Sequence, residues 1–449
     1  MNMQTVKIIP LKHLSHRLRE QLHAGQLASG EVYTFCKNVH LKAREENTPW
    51  PGKDELQKAT KGQYPLHSQS IQMVTHAFLA NVKTTRELRK SHPEMKMRYP
   101  WRDKRFYPLL WPAQAVKRKE GRIILPMGQG RASIVLKVSL PEAIGSCKIV
   151  WRDGYELHVC MEQQTAVVLQ ALDSQVRATV DLGQIHQCAV STNTGKAMVV
   201  SGRGIRAVKR ARNVALGEIA QKRARCTKGS RRWRKLQVAR CKVTTRAERR
   251  CRDLQHKGTA KVIAFCRSEG VSRLFVGNPD GVQRKRSGRH QNQRMSQWEF
   301  GRDIRYLEHK SERCGMAFFK GSERGTSSVC PDCEHKQKAR GRLWQCRQCG
   351  FLGHRDVVGS VNMHKLAFGE RVMFPEIITY LRAGAARLGR GVNNRVQGQT
   401  SARSSSLDAG QRAWSRSCLE LKIAPSNGEP QWGEPCHASD GPGVFSVQL

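Results

Sequence analysis

Hydrophobic positions recur along the chain at two periods, and each switch between them marks a change of element. Within residues 66–90, Ile71, Val74, Phe78 and Val82 stand three and four places apart, the stripe of a helix that buries one side. Ser68 is placed to cap its start and Pro93 lies just past its end, so the first part of the N-terminal region reads as helical. Beyond Pro100 the period shortens. Residues 122–126, 133–140, 148–151 and 156–161 are short β-branched or alternating runs between Gly, Pro and Asp, the pattern of a small β-barrel or meander. Trp101, Tyr107, Trp111 and Trp151 interleave with these runs. Beside strands such rings serve a core more often than they stack on bases.

Residues 178–190, A-T-V-D-L-G-Q-I-H-Q-C-A-V, read as a buried strand ending at Asp181, a Gly turn and a second strand that leads to a hairpin turn at Thr194-Gly195. An acid in so apolar a setting is costly unless it binds something positive. Residues 205–269 are helical and intensely basic, broken near Lys228-Gly229-Ser230, with Val208, Val214, Ile219, Trp233, Leu236 and Leu254 supplying a packing side. The run Arg231, Arg232, Trp233, Arg234, Lys235 is thereby presented in a fixed orientation suited to a phosphate backbone. Residues 272–282 form another buried strand, and the polar segment 283–294 reads as a mobile loop. Residues 295–315 return to helix through Trp298, Phe300, Ile304 and Leu307, and a strand at 317–320 leads to Glu323. After Phe368 periodicity fades. A Ser-rich stretch at 402–409 and a Gly- and Pro-rich one at 425–443 read as a largely disordered tail with one helix at 377–388.

Composition narrows the partners. The 449 residues carry 39% hydrophobic residues, enough to build cores in two or three domains. With 79 Lys and Arg against 36 Asp and Glu, the net charge of +43 would repel itself without a polyanion, and nucleic acid is the first candidate. A membrane is not expected, since no apolar run is long enough to span one. The first 26 residues lack the continuous apolar core of a secretory signal. A cytoplasmic, nucleoid-associated protein is expected, and its fifteen cysteines fit a reducing compartment in which four hold a metal and the others, such as Cys160, Cys188 and Cys266, are small buried or free thiols.

The densest chemistry lies at 323–362. Cys330 and Cys333 form one C-x-x-C, Cys346 and Cys349 another, with twelve residues between them. Two such turns bring four thiolates onto one tetrahedral Zn²⁺, and a closed four-thiolate site is structural. Glu323 lies just before the first turn and Asp356 just after the second, so closing the ribbon brings two carboxylates together.

Asp181, the basic helical insertion, the second strand, the run R-G-T-S-S-V-C-P-D-C and the run H-R-D-V-V-G-S-V-N together resemble the TnpB family of transposon-encoded, RNA-guided DNA nucleases, which are related to compact type V CRISPR effectors. The resemblance spans roughly residues 122–366. It implies an α+β multidomain chain: a ribonuclease H-like (RuvC) nuclease domain with a zinc-ribbon insert, and an N-terminal wedge-like β-barrel with a helical recognition part. The boundaries read as 1–170 for the N-terminal domain, 171–322 for the first two nuclease segments with the insertion 205–269, 323–350 for the ribbon, 351–367 for the third segment and 368–449 for the tail. In the family three acids hold two Mg²⁺. Carried over, the first is Asp181 and the last Asp356, while the family's Glu at the end of the second strand is replaced by Gly277. Members with a rearranged site place the compensating Glu in an E-R-G-T-S setting, which Glu323 matches; Glu299, Glu308 and Glu312 are its rivals. The implied partners are a guide RNA and a target DNA. The competing readings are a nuclease-inactive RNA-guided repressor, favoured by Gly277, a CRISPR effector, and a simple zinc-ribbon transcription factor, which leaves Asp181 and the basic insertion unexplained.

Overall fold

A computed structural model describes residues 2–95, 97–140, 144–164, 174–279, 288–338 and 341–384, and contacts divide the chain into two compact units, Met1–Thr165 and Ala166–Leu449. The first unit opens with strand β1 (Asn2–Pro10) rather than helix. Its segment alternates too briefly to be told from the basic residues around it, and it becomes a strand by pairing with a partner far along the chain. Helix α1 (His16–Glu45) starts at Ser15, whose hydroxyl accepts the N–H of Leu18 at 3.3 Å. After α2 (Lys53–Thr60) comes α3 (Ser68–Ser91), which buries Ile71, Val74, Phe78 and Val82 as the spacing predicts. Ser68 is not its cap: it is the first helical residue, and His67 holds the capping position without a side-chain bond.

Strands β2 (Leu109–Trp111), β3 (Lys117–Lys119), β4 (Arg122–Leu125), β5 (Ile134–Lys137), β6 (Cys147–Trp151) and β7 (Tyr155–Gln164) follow. They form two antiparallel sheets, ordered β1-β7-β6-β2 and β3-β4-β5. One hydrophobic cluster draws on both sheets and the helices, through Leu22, Phe78, Ile123, Ile134 and Leu157. Trp111 is wholly buried there, its indole N–H donating to the Pro126 carbonyl at 2.7 Å, and Tyr107 stacks on Tyr33 at 4.7 Å. Trp101, half-buried, stacks on Tyr99. Trp151 is 52% exposed and is no core residue.

The second unit is built on a mixed six-stranded sheet. Strands β8 (Arg177–Leu182), β9 (His186–Thr192) and β10 (Lys196–Ser201) form an antiparallel meander. Helices α4 (Arg203–Ala224) and α5 (Arg231–Ser268) pack on each other and return the chain to β11 (Arg273–Asn278), which pairs parallel with β8. Helices α6 (Arg289–Ser296) and α7 (Phe300–Arg313) then lead to β12 (Ala317–Ser322), parallel to β11. A small antiparallel pair follows, β13 (Leu343–Gln345) with β14 (Leu352–His354), then α8 (Arg355–Phe368) and the edge strand β15 (Ile377–Arg382), parallel to β10. The sheet order is β12-β11-β8-β9-β10-β15.

Alternation assigns the two faces. Ala178, Val180 and Leu182 of β8 join Val262 of α5 and Leu307 of α7 in one cluster, whereas Ala189, Ala197 and Val199 join Val357 and Val361 of α8 in another. Asp181 therefore points to the α8 side. The fold also departs from three expectations in this unit. Part of the supposed loop 283–294 is α6, the remainder of it, up to 287, lying outside the described residues. The helix expected at 377–388 is strand β15 up to Arg382, and 385–388, like the Ser-rich and Gly- and Pro-rich stretches, lie outside the described residues. Val214, expected on the packing side, is 57% exposed, while Val208 and Leu254 do pack against the sheet cluster.

Candidate active site and metal centre

Asp181 sits one residue from the end of β8, on a central strand of its sheet, and Gly359 lets α8 come close to it. A Cβ on Gly359 would stand 2.7 Å from Asp181 Oδ2. The Thr179 hydroxyl donates to the Ser360 carbonyl at 2.5 Å, which fixes the same approach. Burial, with the charges of Glu323 and Asp356 added, pushes the Asp181 carboxyl well above its usual value, against Arg355 and Arg342.

Glu323 follows β12 directly, and its place depends on Gly277. In the parallel register Gly277 lies beside Gly321, and a Cβ on Gly277 would meet Glu323 Oε2 at 2.5 Å and Met363 Sδ at 2.9 Å. The Glu323 carboxylate thus lies against the bare backbone of Gly277. Its Oε2 is buried without a hydrogen-bond partner, and burial raises its carboxyl to about 7. The chain behind it is tied down: the Thr326 hydroxyl donates to the Glu323 carbonyl at 2.9 Å, and Asn362 of α8 donates to the carbonyls of Thr326 and Val329 at 2.7 and 2.8 Å.

Asp356 lies in the first turn of α8, where the helix dipole favours a carboxylate; it does not lie across the sheet from Glu323, as a strand position would have placed it. His186 Nδ1 stands 2.7 Å from its Oδ2, and Arg342 donates to both oxygens at 2.9 Å. Burial works to raise this carboxyl, but the His186 bond and Arg342 outweigh it and hold it below the usual range. His186 reaches Asp356 because β9 carries a bulge: Val200 pairs with Cys188 and Ser201 with His186, leaving Gln187 extra. Gln187 turns instead to α7, donating to buried Asp303 at 2.8 Å. Beside Glu323 opens a cleft of about 290 Å³ whose lining includes Gln184, Arg206, Arg294 and Arg342.

The sulfurs of Cys330, Cys333, Cys346 and Cys349 all lie within 4.8 Å of one another, with Cys330 to Cys349 at 3.6 Å and Cys333 to Cys346 at 3.5 Å. Tetrahedral Zn–S bonds of about 2.3 Å put sulfurs roughly 3.8 Å apart, whereas a disulfide needs about 2.05 Å. The cluster suggests a zinc site. It packs through Trp344 and Cys346 onto Val358, two residues after Asp356.

The basic run lies elsewhere. Arg231, Arg232, Arg234 and Lys235 are exposed in the first turns of α5, and Trp233 is half-buried beneath the Arg223 guanidinium at 5.3 Å. At 1.5 Å per residue that turn stands about 30 Å along the helix from Cys251, which packs on the sheet. Glu299 is engaged with Arg302 at 2.7 Å, and Glu308 and Glu312 lie on α7. Sequence reasoning misses His186 and Arg342: His186 meets Asp356 only across 170 positions, and Arg342 falls in the gap between the cysteine pairs.

Comparison with known proteins agrees with this layout. The family described as probable transposase (OrfB_IS605) matches residues 158–283, and that described as Cas12f1-like, TNB domain, matches 300–363. A TnpB-like protein of Methanocaldococcus jannaschii is 28% identical over 134 residues, 29% of this chain and 48% of the relative, so the match spans about half of that relative's length. Among solved structures, the Cas12f1-sgRNA-target DNA complex aligns with a TM-score of 0.58 at 12% identity, over 78% of this chain and 83% of that one. The mini-RNA-guided endonuclease CRISPR-Cas_phi3 aligns at 0.48 and 10% identity, over 83% and 94%. The first of these shares the mixed α+β fold with this chain, and in its two matched segments and its curated relative the chain is similar to the OrfB_IS605 and TnpB-like proteins.

Proposed function

We propose that the chain is a transposon-borne, RNA-guided DNA endonuclease whose chemistry is carried by Asp181, Glu323 and Asp356. The observation that carries this reading is Glu323: its carboxylate lies against Gly277 with one buried oxygen unpartnered, close enough to Asp181 to raise it. A buried, unpaired carboxylate oxygen beside a second acid is costly unless a cation is shared. The donors are all oxygen, which fits Mg²⁺, and these three residues would hold it. Held by these three carboxylates, such a metal centre would supply a water of lowered pKa and positive charge against the negative charge building up on the phosphate.

The protein's own groups supply the remainder. His186 and Arg342 orient Asp356, and Arg206, Arg294 and Arg342 give the cleft the positive charge that a phosphodiester requires. A three-strand meander followed by two parallel strands, ordered β12-β11-β8-β9-β10, supports a ribonuclease H-like (RuvC) assignment for the nuclease domain, with the cysteine cluster as its zinc-ribbon insert. By the same reading the first unit supplies a wedge-like barrel with α1 to α3 as its recognition part, and the domain boundaries stand as given above. The solved relative is a complex with sgRNA and target DNA, and we assign the corresponding partners, a guide RNA and a DNA target, to this chain. Base pairing would then read most of the target.

The test is cleavage of a guide-matched duplex in Mg²⁺. Asp181→Ala, Glu323→Ala and Asp356→Ala should each lose cleavage by at least about 100-fold, while RNA and target binding stay within a few-fold, because metal ligands act on the chemical step. Gly277, which leaves the second strand without its acid, favours a second reading as a nuclease-inactive RNA-guided repressor. Target binding without cutting in any divalent metal would establish that one instead.

A further inference from the structure

The nuclease reading uses His186 to orient Asp356 and leaves a second imidazole beside it, that of His354, without a role. His186, His354 and Asp356 each bring one ligand-capable atom into a group spanning at most 4.8 Å. They come from three elements: His186 from the bulge of β9, His354 from the end of β14, and Asp356 from the first turn of α8. The two rings stand 4.8 Å apart at 63°, tilted rather than stacked flat, and Tyr380 walls His354 at 5.8 Å. His354 Nδ1 is buried and has no hydrogen-bond partner. A buried ring nitrogen left unpaired costs free energy in the protein alone, and two imidazoles gathered with a carboxylate within 4.8 Å are the donor set of a borderline divalent ion.

We propose that His186, His354 and Asp356 form a binding site for a borderline divalent cation of the d-block, Co²⁺, Ni²⁺ or Zn²⁺, distinct from the four cysteines and sharing only Asp356 with the acids Asp181 and Glu323. Two nitrogens and one oxygen discriminate against Mg²⁺, which takes oxygen ligands. Asp356 is shared with the nuclease centre, but the imidazole ligands are there whether or not the chain cuts DNA. Arg342, now on both Asp356 oxygens, is the charge that an incoming cation displaces. Removing it should tighten binding.

Cobalt gives a readout that does not depend on activity. The full-length protein, its cysteine site preloaded with zinc, would be titrated with Co²⁺ in excess Mg²⁺, following d–d absorption and counting bound metal by dialysis. A single Co²⁺ per chain beyond the zinc is expected, retained in Asp181→Asn, tightened in Arg342→Ala, and weakened at least about tenfold in His186→Ala and His354→Ala. Zinc content in each variant certifies that the ribbon is folded. Absence of Co²⁺ binding in the unmutated protein, unchanged affinity in both histidine variants, or loss in Asp181→Asn but not in the histidine variants would overturn the assignment. A protein that binds Co²⁺ as described yet never cleaves DNA in Mg²⁺ would fail the nuclease reading alone.

Discussion

Glu323 and Gly277 occupy one space, and the substitution that probes this is small. A methyl group at 277 would stand 2.5 Å from Glu323 Oε2 and 2.9 Å from Met363 Sδ, closer than packed atoms come. Because overpacking a filled site costs about 1–3 kcal/mol and shifts its neighbours, Gly277→Ala should move the carboxylate and lower cleavage at least about tenfold with target binding kept. A fully active Gly277→Ala would mean that Glu323 is not held there for catalysis. The acids also set a pH dependence. Glu323, raised by burial to about 7, and Asp181, raised by burial and by its acidic neighbours, bind more protons folded than unfolded from their ordinary values upward. For Glu323, stability therefore falls as pH climbs from about 4.3 towards 7 and levels off above it, and Asp181 adds a loss in the same direction that starts at its own ordinary value. Calorimetry of the metal-free protein should give a falling midpoint between pH 5 and 7.5, with a shallower slope in Glu323→Gln and Asp181→Asn; an unchanged slope in both would remove these groups as its source. Asp181 and Glu323 are legible in the chain because each ends an apolar strand or opens a recognisable run. His186 is not, since a polar residue after a Gly turn says nothing of a bulge that turns it towards a helix 170 positions on.

Among the elements, α8 is where the metal ribbon and the acids are mechanically joined. Asn362 holds the carbonyls behind Glu323, Val358 packs under Trp344 and Cys346, and Asp356 opens the helix. Arg371, just beyond the helix, donates at 3.0 Å to the carbonyl of Pro331, inside the turn of the first cysteine pair. Loss of the ribbon should therefore reach the acids. Cys346→Ser is expected to lower zinc content and solubility together, since four thiolates without a metal leave the insert no core of its own. Asn362→Ala strips the partner from two carbonyls and should cost about 1–3 kcal/mol, with zinc content unchanged and cleavage reduced. Normal cleavage by the zinc-free Cys346→Ser protein would disconnect the ribbon from the site. Elements with a strong local period, such as α3, the α4 and α5 pair and α7, can be read from sequence. Those defined by distant pairing cannot: β1 joins β7, and β15, with Ile377 and Tyr380 exposed along an edge, is made a strand only by lying parallel to β10.

At the scale of the whole molecule the governing quantity is charge. Among the described residues no helix is long and apolar enough to cross a membrane, and the +43 of the chain includes a dense exposed run on the α4 and α5 pair, away from the acids. The helical insertion is stiff where it needs to be: Ser230 caps α5 by accepting the Trp233 N–H at 3.2 Å, and Arg223 donates across to Gln237 while covering Trp233. Arg231, Arg232, Arg234 and Lys235 are thus held on a fixed turn rather than on a loop. If that turn tracks a nucleic-acid backbone, each phosphate it neutralises releases counterions, and the slope of log affinity against log salt steepens by about 0.9 per duplex phosphate or 0.7 per single-strand phosphate. Replacing all four by Ala should flatten the slope for guide RNA or target DNA by roughly 3–4, weaken binding most at low salt, and leave the zinc content and thermal midpoint unchanged because none of the four is buried. Filter binding across a salt series measures it directly. An unaltered slope for both nucleic acids would show that this turn contacts no phosphate, and the charge that holds the polyanion would then have to lie on other faces of the chain.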